Sequence, residues 1–212
     1  MNSRMHIKLM SGLKTGFSSL LATKRVLALP LSAVFLLAVS GCQGSGNIAH
    51  QRSIAELNQK AQVMMQSGDY AGAVARLESA HDLEPEEPNT AYNLGMAYQS
   101  MGRFDQAIGI FTQILDKPQS GGPEAAEVRK ALGITWEAKA DKLASDAKAA
   151  TEEKGKADAA QIQTLTHESS QAYRAAIDNY REAISSGHLK DAADVQHQMD
   201  ALKERLAKGS HS

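Results

Sequence analysis

Apolar side chains recur at three- and four-residue spacing in two short stretches of residues 89–115, separated by a turn that contains Gly102. The recurring positions are Leu94, Gly95, Ala97 and Tyr98 in the first stretch and Phe104, Ala107, Ile108, Phe111, Ile114 and Leu115 in the second. This spacing puts the apolar residues of each stretch on one face of an α-helix. Two such helices form an αα-hairpin, which cannot bury its apolar face alone. We therefore expect it to pack against further units.

The same pattern occurs once more in the stretch 54–85, at a constant offset of 34 residues, the separation of Gly68 and Gly102. The matched positions are Gly68, Tyr70, Ala73, Leu77 and Ala80, which correspond to Gly102, Phe104, Ala107, Phe111 and Ile114. They include the turn glycine and the small residue at which the two helices touch. Self-similarity at a fixed period of this length is typical of helical repeat solenoids.

The combination L-G-x-x-Y, then G-x-F and a small residue, resembles the tetratricopeptide repeat (TPR). The first unit departs from it, because Lys60 and Ala61 replace the Leu-Gly pair and Met64 replaces the Tyr. A weaker first helix is typical of a terminal repeat, which packs on one side only. The resemblance implies an all-α, TPR-type helical solenoid of about three helix-turn-helix repeats.

A third repeat is interrupted. Its first helix carries Gly133 and Trp136 in the family pattern, but the matching second helix begins only near Tyr173. Trp136 and Tyr173 are 37 residues apart, whereas Tyr98 and Phe104 are 6 apart, so the insertion has 31 residues. With a turn near Gly155, this Ala- and charge-rich insertion predicts a long helical hairpin that extends the third repeat. A partly disordered charged insert is the alternative.

The C-terminal stretch 191–206 predicts a helix that caps the solenoid, and the pair Ser53 and Glu56 predicts that the first helix begins at Ser53 or Ile54. One face of the capping helix carries Ala192, Val195, Met199, Leu202 and Leu206. The predicted boundaries are a leader at 1–41, a tether at 42–52, a TPR domain at 53–206 and a tail at 207–212. Within the domain we predict repeats at about 54–87, 88–121 and 123–187, with the insertion at 140–170.

Residues 1–41 carry five basic and no acidic side chains, and a mostly apolar run, 26–39, precedes Ser40, Gly41 and Cys42. This end resembles the bacterial lipobox. The resemblance implies lipidation of Cys42 and a lipid-anchored position in the cell envelope, at the outer membrane facing the periplasm. The alternative is an ordinary signal peptide followed by an unpaired thiol, since Cys42 is the only cysteine.

Charge and motifs exclude several classes of function. Without residues 1–41 the chain has 18 basic and 24 acidic residues, so we expect no nucleic-acid partner. The chain has no nucleophile-elbow motif and no phosphate-binding glycine loop, and His188, Asp191 and His197 lack the spacing of a zinc site. We therefore expect a protein that is not an enzyme and has neither cofactor nor metal.

The TPR resemblance implies that the first helices of the repeats line a concave groove for a protein or peptide partner. The groove residues carried over are Asn58, Gln62 and Met65, then Tyr92, Asn93, Met96 and Gln99, then Lys130, Ile134 and Glu137. Met65 and Met96 could instead fill gaps between helices. The sequence favours a non-catalytic, lipid-anchored adaptor. The alternative is a structural assembly factor, similar to the pilotins or TadD-type lipoproteins of pilus and secretion systems.

Overall fold

The computed structural model describes residues 50–117, 122–152 and 158–209, all within one compact unit, Ser45–Ser212. In these described ranges the chain forms seven α-helices and no β-strand. They are α1 (50–66), α2 (Tyr70–Leu83), α3 (Pro88–Ser100), α4 (Phe104–Leu115), α5 (Gly122–Glu152), α6 (Ala159–Ser185) and α7 (Ala192–Gly209). The predicted all-α solenoid is confirmed. The leader, the lipidation site and the turn near Gly155 lie outside the described residues.

The first two helix pairs turn in the same way, one repeat period apart. Gly68 and Gly102 have φ angles of 82° and 70°, in the left-handed region that glycine adopts without steric cost. The residue after each glycine donates its backbone N–H to a carbonyl of the preceding helix. These bonds reach the carbonyl of Met64 at 2.8 Å and that of Tyr98 at 2.9 Å. The repeat found in the sequence is thus repeated in backbone geometry.

A close approach of α3 and α4 depends on glycine. A Cβ added to Gly95 would lie 2.6 Å from the Phe111 ring, so a larger residue fits only if the ring moves. Phe111 and the neighbouring Ala107 are completely buried. The first repeat uses Ala61 and Leu77 at the equivalent positions, and both are also completely buried. These residues belong to one core cluster that continues into α5.

Helices α5 and α6 form the extended third repeat and run antiparallel, with Gly133 against Tyr180 at one level and Ala140 near Ser169 at another. The Ser169 hydroxyl donates to the Ala140 carbonyl at 3.0 Å. The described residues of the insertion, 140–152 and 158–170, are helical apart from Asp158, the N-cap of α6. The predicted hairpin is therefore confirmed along both described arms. The alternative of a partly disordered insert is not confirmed in these residues.

Helix α7 closes the array as predicted. Val195, Met199 and Leu202 of α7 are buried in a second core cluster that includes Tyr180 and Ala176 of α6. Its apolar face thus covers the last repeat, while most of its polar side chains are exposed.

Two predicted boundaries need correction. The chain is already helical at residues 50–52, which we had placed in the tether, so Ser53 lies inside α1 and does not begin it. The preceding His, Gln and Arg contain no helix breaker, and nothing stops the helix there. At the other end α7 includes residues 207–209, which we had placed in the tail. An i,i+4 pair between Lys208 and Glu204, 3.8 Å apart, supports this last turn.

Candidate functional site

An open pocket of about 400 Å³ lies where the beginnings of α3 and α5 meet the loop before α7. Its lining combines apolar side chains with a charged rim. The lining residues are Pro88, Asn89, Tyr92, Ile114, Glu124, Glu127, Val128, His188 and Lys190. Two repeats and the capping segment each contribute to it, so the pocket exists only in the assembled array.

Tyr92 is the aromatic wall of the pocket. Its ring centroid lies 5.7 Å from that of Phe111, at an interplanar angle of 54°, a tilted arrangement that aromatic pairs favour. Half-burial raises the pKa of the Tyr92 phenol, and the nearby Glu127 carboxylate raises it further. The hydroxyl is therefore neutral at physiological pH. The core fixes the ring, and its remaining exposed surface faces the pocket.

Lys130 stabilises the wall beside Tyr92 and is not a free cation. Its ammonium lies 2.6 Å from a Glu127 oxygen and 3.1 Å from an Asp191 oxygen. Burial alone would lower the pKa of Lys130, but the bonds with Glu127 and Asp191 outweigh burial and leave the pKa raised. This network links α5 to the start of α7 and orients Glu127, which lines the pocket.

Glu137 and Ile134, predicted to face the groove, do not line the pocket and are half-buried. The Glu137 carboxylate accepts hydrogen bonds from the Tyr180 hydroxyl at 2.8 Å and from the Gln198 amide at 2.7 Å. Burial raises the pKa of Tyr180, and so does the Glu137 carboxylate. Ile134 packs on the second core cluster. Both residues hold the last repeat together, because α7 covers this part of α5.

The candidates on α1 divide into one exposed and two packed side chains. Gln62 is exposed, and Met65 packs against the first core cluster. Asn58 donates to the Ile54 carbonyl at 3.1 Å and to the Thr90 hydroxyl at 2.7 Å, so it connects the first helices of two repeats. None of these three lines the pocket.

The remaining candidates on α3 are half-buried beside Tyr92. Met96 packs against the first core cluster, in agreement with the alternative of gap filling, and retains some exposed surface. The side-chain amide oxygen Oε1 of Gln99 is buried and has no hydrogen-bond partner in the described residues. Asn93 is half-buried and does not line the pocket. Of the ten predicted partner-binding residues, Tyr92 alone does.

Most residues of the pocket wall are not among the positions predicted from the sequence. Asn89 and Glu127 precede the predicted groove positions by one helical turn, which the family pattern could have suggested. Val128 reads as a core residue, and His188 and Lys190 lie in a loop. No local signal identifies them, because the loop and α3 line the same pocket from distant parts of the sequence.

Neither a metal centre nor a membrane span is found in the described part of the chain. Among those residues, no group of three or more His, Cys, Asp or Glu side chains could hold a metal ion. In the same ranges, the helices are too short or too polar to cross a bilayer. The described surface offers an apolar pocket with a charged rim, a lining that is typical of binding sites.

Comparison with known proteins agrees with this geometry. The family model for the tetratricopeptide repeat matches residues 64–132, from the end of α1 through the first third of α5. No curated protein matches the chain. Residues 64–132 therefore carry tetratricopeptide repeats, a class of repeat that generally mediates protein–protein interaction, within an all-helical solenoid.

Proposed function

We propose that this protein is a non-catalytic, lipid-anchored adaptor that holds a protein or peptide partner in the pocket beside Tyr92. The observation that carries the proposal is the apolar pocket of about 400 Å³ built jointly by two repeats and the loop before α7. A solenoid uses surfaces of this kind, shared between repeats, to bind extended partners.

The lining favours an apolar anchor residue from the partner. Pro88, Val128 and the Tyr92 ring supply the apolar surface, and Glu124 and Lys190 supply opposite charges at the rim. An apolar side chain that enters the pocket would be desolvated, while polar groups beside it meet the rim. Buried anchors inside a polar ring supply most of the free energy of binding in protein interfaces.

Lipid anchoring rests on the basic leader, the apolar run and Cys42. The described domain begins with α1 at residue 50. Seven residues, 43–49, therefore separate it from the lipidated cysteine. Their fully extended reach is about 25 Å, at about 3.5 Å per residue. The pocket therefore works close to the membrane surface and recruits partners there, in the envelope.

A pull-down with a blocked pocket tests the proposal. Asn89→Trp places a large side chain at the pocket mouth without touching the core, because Asn89 is exposed. Ser79→Trp is the matched control, since Ser79 is exposed on α2, outside the pocket lining. We expect the unmodified chain and Ser79→Trp to retain the same partner from envelope extract.

Asn89→Trp should lose that partner while its thermal unfolding temperature stays within a few degrees of the control. If Asn89→Trp and the double variant Tyr92→Ala plus Gln99→Ala both retain every partner, the proposal that a partner binds in the pocket beside Tyr92 is wrong.

A further inference from the structure

A second groove, of about 580 Å³, lies where α7 ends and the hairpin of α5 and α6 continues. Its floor is formed by small side chains of both hairpin helices, including Ala144, Ala147 and Ser170, with Ile162 beside them. The apolar residue Leu206 closes it at the α7 end. The groove is separate from the pocket beside Tyr92 and shares no lining residue with it.

The groove continues, beyond the end of α7, the surface of α5 and α6 on which α7 packs. Polar contacts mark the course of α7 along α5, in order from the base: Lys130 with Asp191, Glu137 with Gln198 and Asp141 with Arg205. In these three pairs the residue numbers increase along both segments together. Helix α7 therefore runs beside α5 in the same direction. Helix α7 ends at Gly209, whereas α5 continues to Glu152. The groove is therefore shaped for a helix, because a helix fills its first part.

The size of the uncovered part fits a short helix. The α5 residues that line the groove extend from Ala144 to Thr151, eight residues, or about 12 Å at 1.5 Å per residue. Small side chains in the floor allow a helix backbone to approach closely, as ridges of one helix enter the grooves of others. About two turns of an added helix would lie end to end with α7.

The rim carries positive charge. Lys148, Arg205 and Lys208 line the groove, and no carboxylate does, although Arg205 is paired with Asp141 at 3.0 Å. Acidic residues on their own helices lie 3.9 Å from Lys148 and 3.8 Å from Lys208, both exposed. Exposed pairs at these distances are weak, so the two ammonium groups are available to a partner.

We propose that this groove binds an acidic amphipathic helix of a partner protein, with an apolar stripe against the alanine floor and carboxylates on the flanks. The occupant is helical because the groove continues the interface on which α7 packs. It is acidic because the rim of the groove is cationic. Charge complementarity of this kind steers association and selects among partners. This surface is independent of the pocket beside Tyr92, so either proposal can fail alone.

A peptide titration tests the proposal on the full mature chain. The probe is a fluorescent synthetic helical peptide with Leu and Ala on one face and Glu on both flanks. Its counterpart has Lys in place of each Glu. We expect the Glu peptide to bind, more weakly as salt is added, and the Lys peptide not to bind. Equal binding of the two peptides, or no binding of either, would overturn the proposal.

Matched variants locate the binding. Lys148→Glu plus Lys208→Glu reverses two rim charges, and Lys142→Glu plus Lys203→Glu reverses two exposed charges outside the groove lining on the same helices. The rim variant should bind the Glu peptide at least about tenfold more weakly than the control variant. Equal loss in both would mean that only net charge matters. Self-association through the groove, or binding of phosphatidylglycerol vesicles in place of the peptide, would also contradict the proposal.

Discussion

Gly133 lies directly against the ring of Tyr180, so that a Cβ on Gly133 would be 2.6 Å from the ring carbons. Gly95 and Phe111 have the same relationship in the preceding repeat, also at 2.6 Å. Gly133 and Tyr180 are separated by 31 more residues than Gly95 and Phe111. This difference equals the length of the insertion. The third repeat is therefore a single structural unit divided in the chain, and its insertion lengthens both helices without disturbing their contact.

The first prediction concerns this contact. Gly133→Ala should destabilise the fold by about 1–3 kcal/mol, because the added methyl displaces a completely buried ring. Gly109→Ala is the control, since a Cβ there meets no atom within 4 Å. In a helix interior that change should stabilise by about 0.5–1 kcal/mol. Chemical denaturation measures both. Equal stability of the two variants would show that Gly133 and Tyr180 are not in contact.

The second prediction separates stability from binding at Glu137. Glu137→Ala removes the acceptor of the buried Tyr180 hydroxyl and of the Gln198 amide, which should cost about 1–3 kcal/mol. Glu168→Ala, an exposed change on α6, should stay within about 0.5 kcal/mol of the unmodified chain. Partner capture by folded Glu137→Ala should be unchanged. A lost partner with unchanged stability would return Glu137 to the binding surface.

The third prediction concerns alkaline pH. The Tyr98 hydroxyl donates to Glu78 at 2.6 Å, and burial together with this bond raises the pKa of Tyr98 from 10.0 to about 12. The folded form therefore keeps a proton that the unfolded chain releases. The stabilising contribution is complete below pH 10 and is lost as the pH rises towards 12. The free energy of unfolding should fall in that window.

Two variants check the cause. In Tyr98→Phe the loss of stability between pH 10 and 12 should be less steep, because one perturbed phenol is gone. In Glu78→Gln, phenolate absorbance should show one tyrosine ionising at a lower pH than in the unmodified chain. An unchanged titration in Glu78→Gln would contradict the assigned hydrogen bond.

The fourth prediction tests the anchor. Radioactive palmitate added to growing cells should label the unmodified chain and leave Cys42→Ala unlabelled, because Cys42 is the only thiol. The variant should also leave the membrane fraction. Domain stability should be the same in both forms, since Cys42 lies outside the described helices. Label in Cys42→Ala would refute lipidation at this residue.

The repeat architecture was predictable because it depends on local spacing and on a few size-restricted positions. Gly102 marks a turn, and Gly95 and Phe111 mark a close contact, at fixed distances in the sequence. The divided third repeat was predictable from the same family pattern, through Gly133, Trp136 and Tyr173. Helix ends were less certain, since neither Ser53 nor Leu206 has a strong stop signal on its outer side.

The binding surface was only partly predictable, because its walls come from distant parts of the chain. The family pattern predicts groove positions for both Tyr92 and Glu137, whereas the structure places Tyr92 in the pocket lining and Glu137 in hydrogen bonds with Tyr180 and Gln198. Only the packing of α7 on the third repeat reveals that Glu137 is bonded beneath Gln198. The contribution of Lys190 depends on where the loop before α7 folds, which no periodicity encodes.

Site-specific photo-cross-linking shows whether a partner occupies the pocket beside Tyr92 in the native envelope. A photoreactive amino acid would replace Asn89 or Lys190, which both line the pocket, and Ser79 on α2 as control. We expect one and the same protein to be cross-linked from positions 89 and 190 and to be absent at position 79. Cross-links that are missing at both pocket positions, or equally strong at position 79, would contradict this expectation.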